Sequence, residues 1–280
     1  MNITIFGAGV FGTALGKVLE ENGHTVNYYD PIKFQNQSIP KLTEHSDACV
    51  LAAPSEAAPK LMLFVPHDKP LICASKGFLS TRIFAPFGPN FSVISGGAFA
   101  ADLLAKKQTI LTATSDLVVS LFGNDWLKFD RTTDNLGVLL CGSLKNIYAI
   151  GSGLWGLRYG TPDFDNFINT SISEIRTILS ANGADPNTMN LSCGLNDLVL
   201  TCASPTSRNY GLGVQLQQDP DYGKKILAGE VKPQNTIEGL ATIKAINNSQ
   251  EFHVPETVPI FTRIMHAAQN IPMPPLPTVK

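Results

Sequence analysis

The chain has 280 residues, more than the commonest single-domain size, so two domains are expected. Its hydrophobic fraction is 44%, only 16% of residues are charged, and the net charge is −2. That balance argues against a nucleic acid or an anionic membrane surface as the main partner, but leaves room for one local basic pocket that holds a small anion.

The first informative segment is the N-terminal one. Asn2–Phe6 is a short apolar run with β-branched residues, and Gly7-Ala-Gly9-Val10-Phe11-Gly12 follows it. Thr13–Asn22 reads as a helix ending at Gly23, and His24–Asp30 as a second strand. Strand, G-x-G-x-x-G, helix and strand within about thirty residues make a dinucleotide-binding βαβ unit. Gly7 permits the tight turn, Gly9 lets the backbone approach a pyrophosphate, and Gly12 lets the helix pack close to the strand. The helix N-terminus offers free N–H groups and a positive dipole end to phosphates. Asp30, at the end of the second strand, can accept hydrogen bonds from ribose hydroxyls and repel a 2′-phosphate, which favours NAD over NADP. It also stands before Pro31, and Asp-Pro also starts turns well.

Further strands are expected at 47–53, 69–74, 91–95 and 108–113, with shorter helices at 55–64 and 98–106 between them. Short buried strands alternating with helices imply a mainly parallel sheet covered on both faces, with ligands beyond the carboxyl ends of its strands. Ala53-Pro54-Ser55, Ser75-Lys76-Gly77 and Ser95-Gly96-Gly97 fall at those ends, and Lys76 is their one charged group.

Strand patterns largely stop around Thr132. Asn135–Leu157 is a long apolar stretch with helical spacing that carries Lys145. A lysine in such surroundings snorkels, pairs with a carboxylate, or has a depressed pKa and exchanges protons. The rest reads as helical. The expected architecture is a Rossmann-type α/β domain, residues 1–131, followed by an all-α domain, residues 132–280, with the active site between them. The loop Ser204–Gly211 offers Ser207, Arg208 and Asn209, read from its residues as a helix cap first and a phosphate site second.

The five cysteines lack C-x-x-C spacing and read as reduced thiols of a cytosolic protein, with Cys202 a small buried hydrophobe. Trp126 and Trp155 read as packing residues. The five histidines show no metal-ligand spacing, and no catalytic metal is expected. No stretch has membrane-spanning length, no secretory segment opens the chain, and residues 271–280 read as a loose tail. The apolar helical half is compatible with a homodimer.

Taken together, the motifs resemble those of bacterial-type NAD-dependent glycerol-3-phosphate dehydrogenases, in order along nearly the whole chain. They are Gly7–Leu15, Ala74–Gly77, Ser95-Gly96 with Phe99-Ala100, Gly142–Asn146, Ala181–Asp185, Gly194–Cys202, Ser207–Asn209 and Glu238-Gly239. The resemblance implies reversible hydride transfer between NAD(H) and glycerol 3-phosphate or dihydroxyacetone phosphate, supplying glycerol 3-phosphate for phospholipid synthesis. It implies Lys145 as the proton donor, with Asp197 and Lys76 beside it, and substrate contacts from Gly96, Ser207, Arg208 and Asn209. It implies cofactor contacts from Gly7, Gly9, Val10, Phe11, Gly12, Asp30, Lys76, Ala100, Arg208 and Glu238.

The chain departs from the family pattern at several points. Gly96-Gly97-Ala98 stands where the family has Gly-Pro-Ser or Gly-Pro-Thr, removing a hydroxyl. Gly194-Leu195-Asn196-Asp197 stands for Gly-Leu-Gly-Asp, where an asparagine is expected to tolerate a left-handed turn. The segment from Asp30 to Asp47 is short. These departures leave two alternatives open: a related dehydrogenase of another small hydroxy acid, and a cofactor-binding homologue without turnover.

Overall fold

The computed structural model describes residues 1–34, 37–77, 81–233 and 236–272; most of the proline-rich tail lies outside them. The N-terminal part alternates strand and helix: β1 (Asn2–Phe6), α1 (Val10–Glu21), β2 (Thr25–Tyr29), α2 (Ile39–Glu44), β3 (Ala48–Leu51), α3 (Ala58–Met62) and β4 (Leu71–Cys73). Then come α4 (Thr81–Phe84), β5 (Phe91–Ser95), α5 (Ala100–Leu104), β6 (Thr109–Ala113), α6 (Asp116–Phe122) and β7 (Leu127–Arg131).

The seven strands form one sheet in the order β2-β1-β3-β4-β5-β6-β7. All neighbours pair parallel except β5 and β6, which meet antiparallel through Ile94↔Ala113 and Ser95↔Thr112. The strand order reverses at β1, and the crevice beyond that reversal is where open α/β sheets bind ligands. The central strands β3, β4 and β5 are buried throughout, which is why they read as apolar runs, broken only by Ser92 and Ser95 of β5. β7 was not among the strands expected from sequence. It is an edge strand, Leu-Lys-Phe-Asp-Arg, with charged residues at three of its five positions and both its ends unlike in burial. An edge strand needs no long apolar run, so its pattern is weak.

The remainder is helical, and its centre is α7 (Asn135–Leu154), capped by the Asp134 carboxylate on the Gly137 amide. Every residue from Gly137 to Gly153 on α7 is buried, so the helix is apolar all round. Around it pack α8 (Pro162–Ala181), α9 (Asp197–Ala203), α10 (Arg208–Gln218), α12 (Glu238–Asn247) and α13 (Pro259–Gln269), with the short α11 (Tyr222–Leu227) against α13. Two glycines set the closest crossing. A Cβ at Gly153 would lie 2.0 Å from the Tyr210 carbonyl oxygen, and one at Gly213 would lie 2.0 Å from that of Ile150, so α7 and α10 touch backbone to backbone.

Helix α7 also packs on β5, and one core runs from Phe6, Leu51 and Val93 of the sheet into Val138, Leu144 and Ile147 of α7. A second core, around Ile3, Val50 and Leu15, covers the other face of the sheet. Lys145 is thereby carried on the helix that joins the two parts. No helix among the described residues is long and apolar enough to cross a membrane.

Candidate active site

The glycine loop has the geometry that its sequence requires. Gly7 adopts φ 106°, and a Cβ there would lie 2.7 Å from the Ala52 carbonyl oxygen. A Cβ at Gly12 would lie 2.0 Å from the Gly7 oxygen, so α1 rests directly on the turn. Gly9 is different: nothing lies within 4 Å of the position its Cβ would take. It caps α1 with no side-chain hydrogen bond, which leaves the first amides of the helix facing open space. Val10 is exposed and Phe11 half-buried at the same end. This open cradle of backbone N–H groups fits a pyrophosphate.

Asp30 does more in the turn than its sequence position suggested. One carboxylate oxygen accepts from the Ala8 amide at 2.9 Å, and the other from Ile32 and Lys33 at 3.0 and 3.1 Å. Burial acts to raise its pKa, but these three N–H bonds outweigh it and hold the carboxyl below its usual value. The Lys33 ammonium donates to the Ala8 carbonyl. A cation therefore stands beside the carboxylate at the end of β2.

The chemistry-bearing residues meet where the carboxyl ends of β4 and β5 face α7 and α9. Lys145 is 4% exposed and Asp197 1% exposed. The Lys145 ammonium donates to Asp197 Oδ1, and to the Thr201 hydroxyl at 3.1 Å. Lys76 reaches the same carboxylate from the sheet side, with Nζ 3.5 Å from Asp197 Oδ2 and 3.2 Å from the Gly96 carbonyl oxygen. It also lies over the Phe11 ring, 5.3 Å from its centroid, and so links the glycine loop to the buried pair. Burial lowers the Lys145 pKa to about 8; Asp197 opposes that and the Lys76 charge adds to it. A lysine so tuned exchanges a proton near neutrality.

A single π-helical turn, Ser192–Asn196, delivers Asp197 to this position. Two departures from the family pattern meet here. A Cβ at Gly97 would lie 3.0 Å from the backbone of Asn196 and of Asp197, so the glycine lets the turn come close. Asn196 was expected to accept a left-handed conformation. It is right-handed, at φ −63° and ψ −43°, and the π turn carries the chain into α9 without a left-handed residue. A cavity of about 790 Å³, lined by Gly97, Ala98, Ile110 and Asn196, opens on this side, and none of Lys76, Lys145 and Asp197 lines it.

The Ser207–Asn209 segment is both a cap and a charged helix start. Ser207 caps α10 by accepting from the Tyr210 amide at 3.4 Å. Arg208 is exposed and donates to the Thr236 carbonyl at 2.7 Å, which leaves most of its guanidinium donors for another acceptor. Asn209 is buried, donating to Asn146 Oδ1 and accepting from the Gly239 amide, both at 2.9 Å. It ties the starts of α10 and α12 to the residue next to Lys145. Glu238 opens α12 and accepts from the Ser55 hydroxyl at 3.3 Å, beyond the end of β3. Burial raises its pKa, against the Ser55 hydrogen bond and the Arg208 charge.

Lys76, Gly96, Lys145 and Asp197 are thus in one cluster, and Ser207, Arg208, Asn209 and Glu238 form a second group joined to it through Asn146. Asp30 lies at the other end of the glycine loop. Ala100 opens α5, which packs against α1. Thr201 and Asn146 received no role from the sequence. The spacing Asp197–Thr201, four residues on a helix, puts both on one face and was the available signal for the first. Cys202 is fully buried and its thiol is pushed up by burial, as suits a packing group.

Comparison with known proteins agrees with this geometry. Residues 2–48 and 134–273 match the family models of the NAD-dependent glycerol-3-phosphate dehydrogenase N-terminus and C-terminus. The chain is 30% identical over 291 aligned positions to a glycerol-3-phosphate dehydrogenase [NAD(P)+] of Staphylococcus epidermidis, covering 87% of this chain and 86% of that one. Its fold is similar to those of glycerol-3-phosphate dehydrogenases from Coxiella burnetii (TM-score 0.77, 21% identity, 96% and 94% of the two chains) and Plasmodium falciparum (TM-score 0.77, 17% identity, 96% and 92%). On its glycine loop, its buried lysine–aspartate pair and these matches, the chain belongs to the NAD-dependent glycerol-3-phosphate dehydrogenase family.

Proposed function

We propose that the protein interconverts dihydroxyacetone phosphate and glycerol 3-phosphate with a nicotinamide dinucleotide. The observation that carries this reading is the buried Lys145–Asp197 pair, joined by Lys76 to the glycine loop. When bound, the nicotinamide supplies or accepts the hydride at the substrate's C2 carbon. The amides of Gly9, Val10, Phe11 and Gly12 would hold the pyrophosphate, with Asp30, Ala100 and Glu238 along the rest of the cofactor. In this division of labour residues 1–131 bind the cofactor and residues 132–280 supply most of the substrate contacts.

In the reducing direction the C2 oxygen gains a pair of electrons as the hydride arrives. The Lys145 ammonium gives that oxygen its proton and is left as a neutral amine, which solvent reprotonates. In the oxidising direction the neutral amine removes the hydroxyl proton. Asp197 orients Lys145 and keeps its ammonium form available, and Lys76 stabilises negative charge on the substrate. The start of α10 supports the phosphate assignment: a permanently charged guanidinium at a helix N-terminus, with Ser207 and Asn209 adding neutral donors.

The test is reduced-nicotinamide consumption with dihydroxyacetone phosphate, beside Lys145→Ala. Turnover that depends on Lys145 supports the reading, and equal turnover in both proteins sinks it. Ala98, which offers no hydroxyl, motivates a second reading, a different small hydroxy acid as substrate. A substrate panel with a higher kcat/KM for such an acid would favour it.

A further inference from the structure

The π turn that delivers Asp197 is gripped by the sheet edge. Ser192 donates its amide to Asp130 Oδ2 at 2.7 Å and its hydroxyl to the Ile110 carbonyl at 2.5 Å. The Cys193 amide donates to the Thr112 hydroxyl at 2.9 Å. Thr112 and Asp130 are register partners on β6 and β7, so their side chains stand together on one face and take two successive amides of the turn. Those amides have no partner inside a helix start, and a carboxylate there is favourable. Asp130 Oδ1 is buried with no hydrogen-bond partner, so the carboxylate is held in place at a cost. Four residues separate Ser192 from Asp197, and the buried start of the turn, Ser192 to Gly194, leaves little freedom between them.

We propose that Thr112 and Asp130 are positioning residues, which fix the π turn on the sheet edge and so aim the Asp197 carboxylate at Lys145. Its significance for turnover rests on the reading of Lys145 as proton donor. The groups facing Lys145 are Asp197, with Thr201 and Cys202, from α9 and Lys76 from the sheet side. Asp197 is the one charged group among them that favours the ammonium, while burial and Lys76 disfavour it. Loosening the turn removes that charge from beside Lys145 and leaves the other two effects. Lys145 then titrates at lower pH.

The experiment follows the Lys145 side chain by NMR in protein carrying isotope-labelled lysine, free of cofactor and substrate, with Lys145→Met to identify its signal. Thr112→Val keeps the shape and removes one acceptor; Asp130→Ala removes the other; Asp130→Asn keeps an acceptor oxygen for the Ser192 amide. Thr112→Val and Asp130→Ala are expected to lower the Lys145 midpoint by at least about half a pH unit, while Asp130→Asn stays close to the parent. A parallel assay should show kcat reduced about tenfold in the first two, with the KM for the phosphate substrate little changed. Glu174→Ala, which removes a carboxylate on α8 bonded to Tyr148, Ile260 and Phe261 and to no residue of the turn, is expected to lower stability and serves as the control that lost stability alone does not move the midpoint. Thr112→Val carries the test if Asp130→Ala does not fold. An unchanged Lys145 midpoint in Thr112→Val overturns the proposal. The titration is read without substrate, so failure of the activity assay leaves it intact.

Discussion

Lys145 on α7 and Asp197 on α9 form an ion pair almost wholly shielded from water, with Thr201 as second acceptor and Lys76 as second cation. Each charge would be costly alone at this depth. Burial, together with a second lysine drawing on the same carboxylate, holds the Lys145 pKa below its ordinary value.

Removing either member of the pair should stop the chemistry without dispersing the site. Lys145→Met and Asp197→Asn are expected to lower kcat by about a hundredfold to ten-thousandfold, the range for a lost general acid. Cofactor binding, followed by fluorescence of the reduced nicotinamide, should survive both. A kcat within a few-fold of the parent for Lys145→Met would remove it from the mechanism.

The pH dependence should differ by direction. Reduction needs the ammonium, so its rate is expected to fall as pH rises through about 8, the pKa to which burial lowers Lys145. Oxidation needs the neutral amine, so its rate should climb up to the same pH and then level off. Stability has its own sign. The folded pKa lies below the ordinary 10.5, so the folded state loses this proton first, and stability should gain between about 8 and 10.5. Parallel profiles in the two directions would contradict the assignment.

Arg208→Ala should act on substrate capture. Loss of a charged donor to phosphate is worth roughly 2 kcal/mol, or about thirtyfold in KM for dihydroxyacetone phosphate. Arg208→Lys should recover little, because a point charge does not replace the planar fork. Steady-state KM values for the three proteins decide it, and an unchanged KM in Arg208→Ala would move the phosphate elsewhere.

Asp30→Ala is expected to weaken NADH binding and narrow its advantage over NADPH. The carboxylate proposed to meet the ribose is lost, while Lys33 remains at the end of β2. The same substitution releases the Ala8 amide, so part of the loss should appear for both cofactors. Titration of each reduced cofactor reads both effects, and unchanged Kd values would show that Asp30 serves the turn alone.

Glu174 should matter for stability only. From α8 it accepts the Tyr148 hydroxyl at 2.9 Å and the Ile260 and Phe261 amides at 2.8 Å, capping α13 from outside because Val258 has no side chain able to do so. Glu174→Ala leaves three donors unpaired, two of them buried, at a cost of about 3 kcal/mol or more. Tm should fall by roughly 5–10 °C with KM values unchanged. A Tm within a degree or so of the parent would mean that water replaces the carboxylate.

Much of the fold was legible because its signals are local. The glycine loop needs Gly7 and Gly12 for steric reasons that any neighbouring strand and helix impose. The strands β3 to β5 are mostly apolar and wholly buried, and α7 is buried on all sides from Gly137 to Gly153 with one conspicuous lysine. Less legible was what depends on an edge. The alternation of β7 mixes charge with packing, and its Asp130 takes on meaning only against Ser192, 62 positions along the chain.

By itself, then, the sequence determined the dinucleotide loop, the mostly parallel sheet, the helical second half and one lysine set in an apolar helix, since each follows from steric limits or hydrophobic period within one stretch of chain. The family resemblance already set Asp197 and Lys76 beside Lys145; only the tertiary structure decided that the two lysines share that one carboxylate, that Asn209 is tied to Asn146 and Gly239, and that a π turn rather than a left-handed asparagine carries Asp197 inward. Those relationships join residues distant in sequence. Proton affinity and orientation are set by the few ångströms between such side chains in a low-dielectric interior, a distance that only the packing of α7 and α9 against the sheet edge fixes.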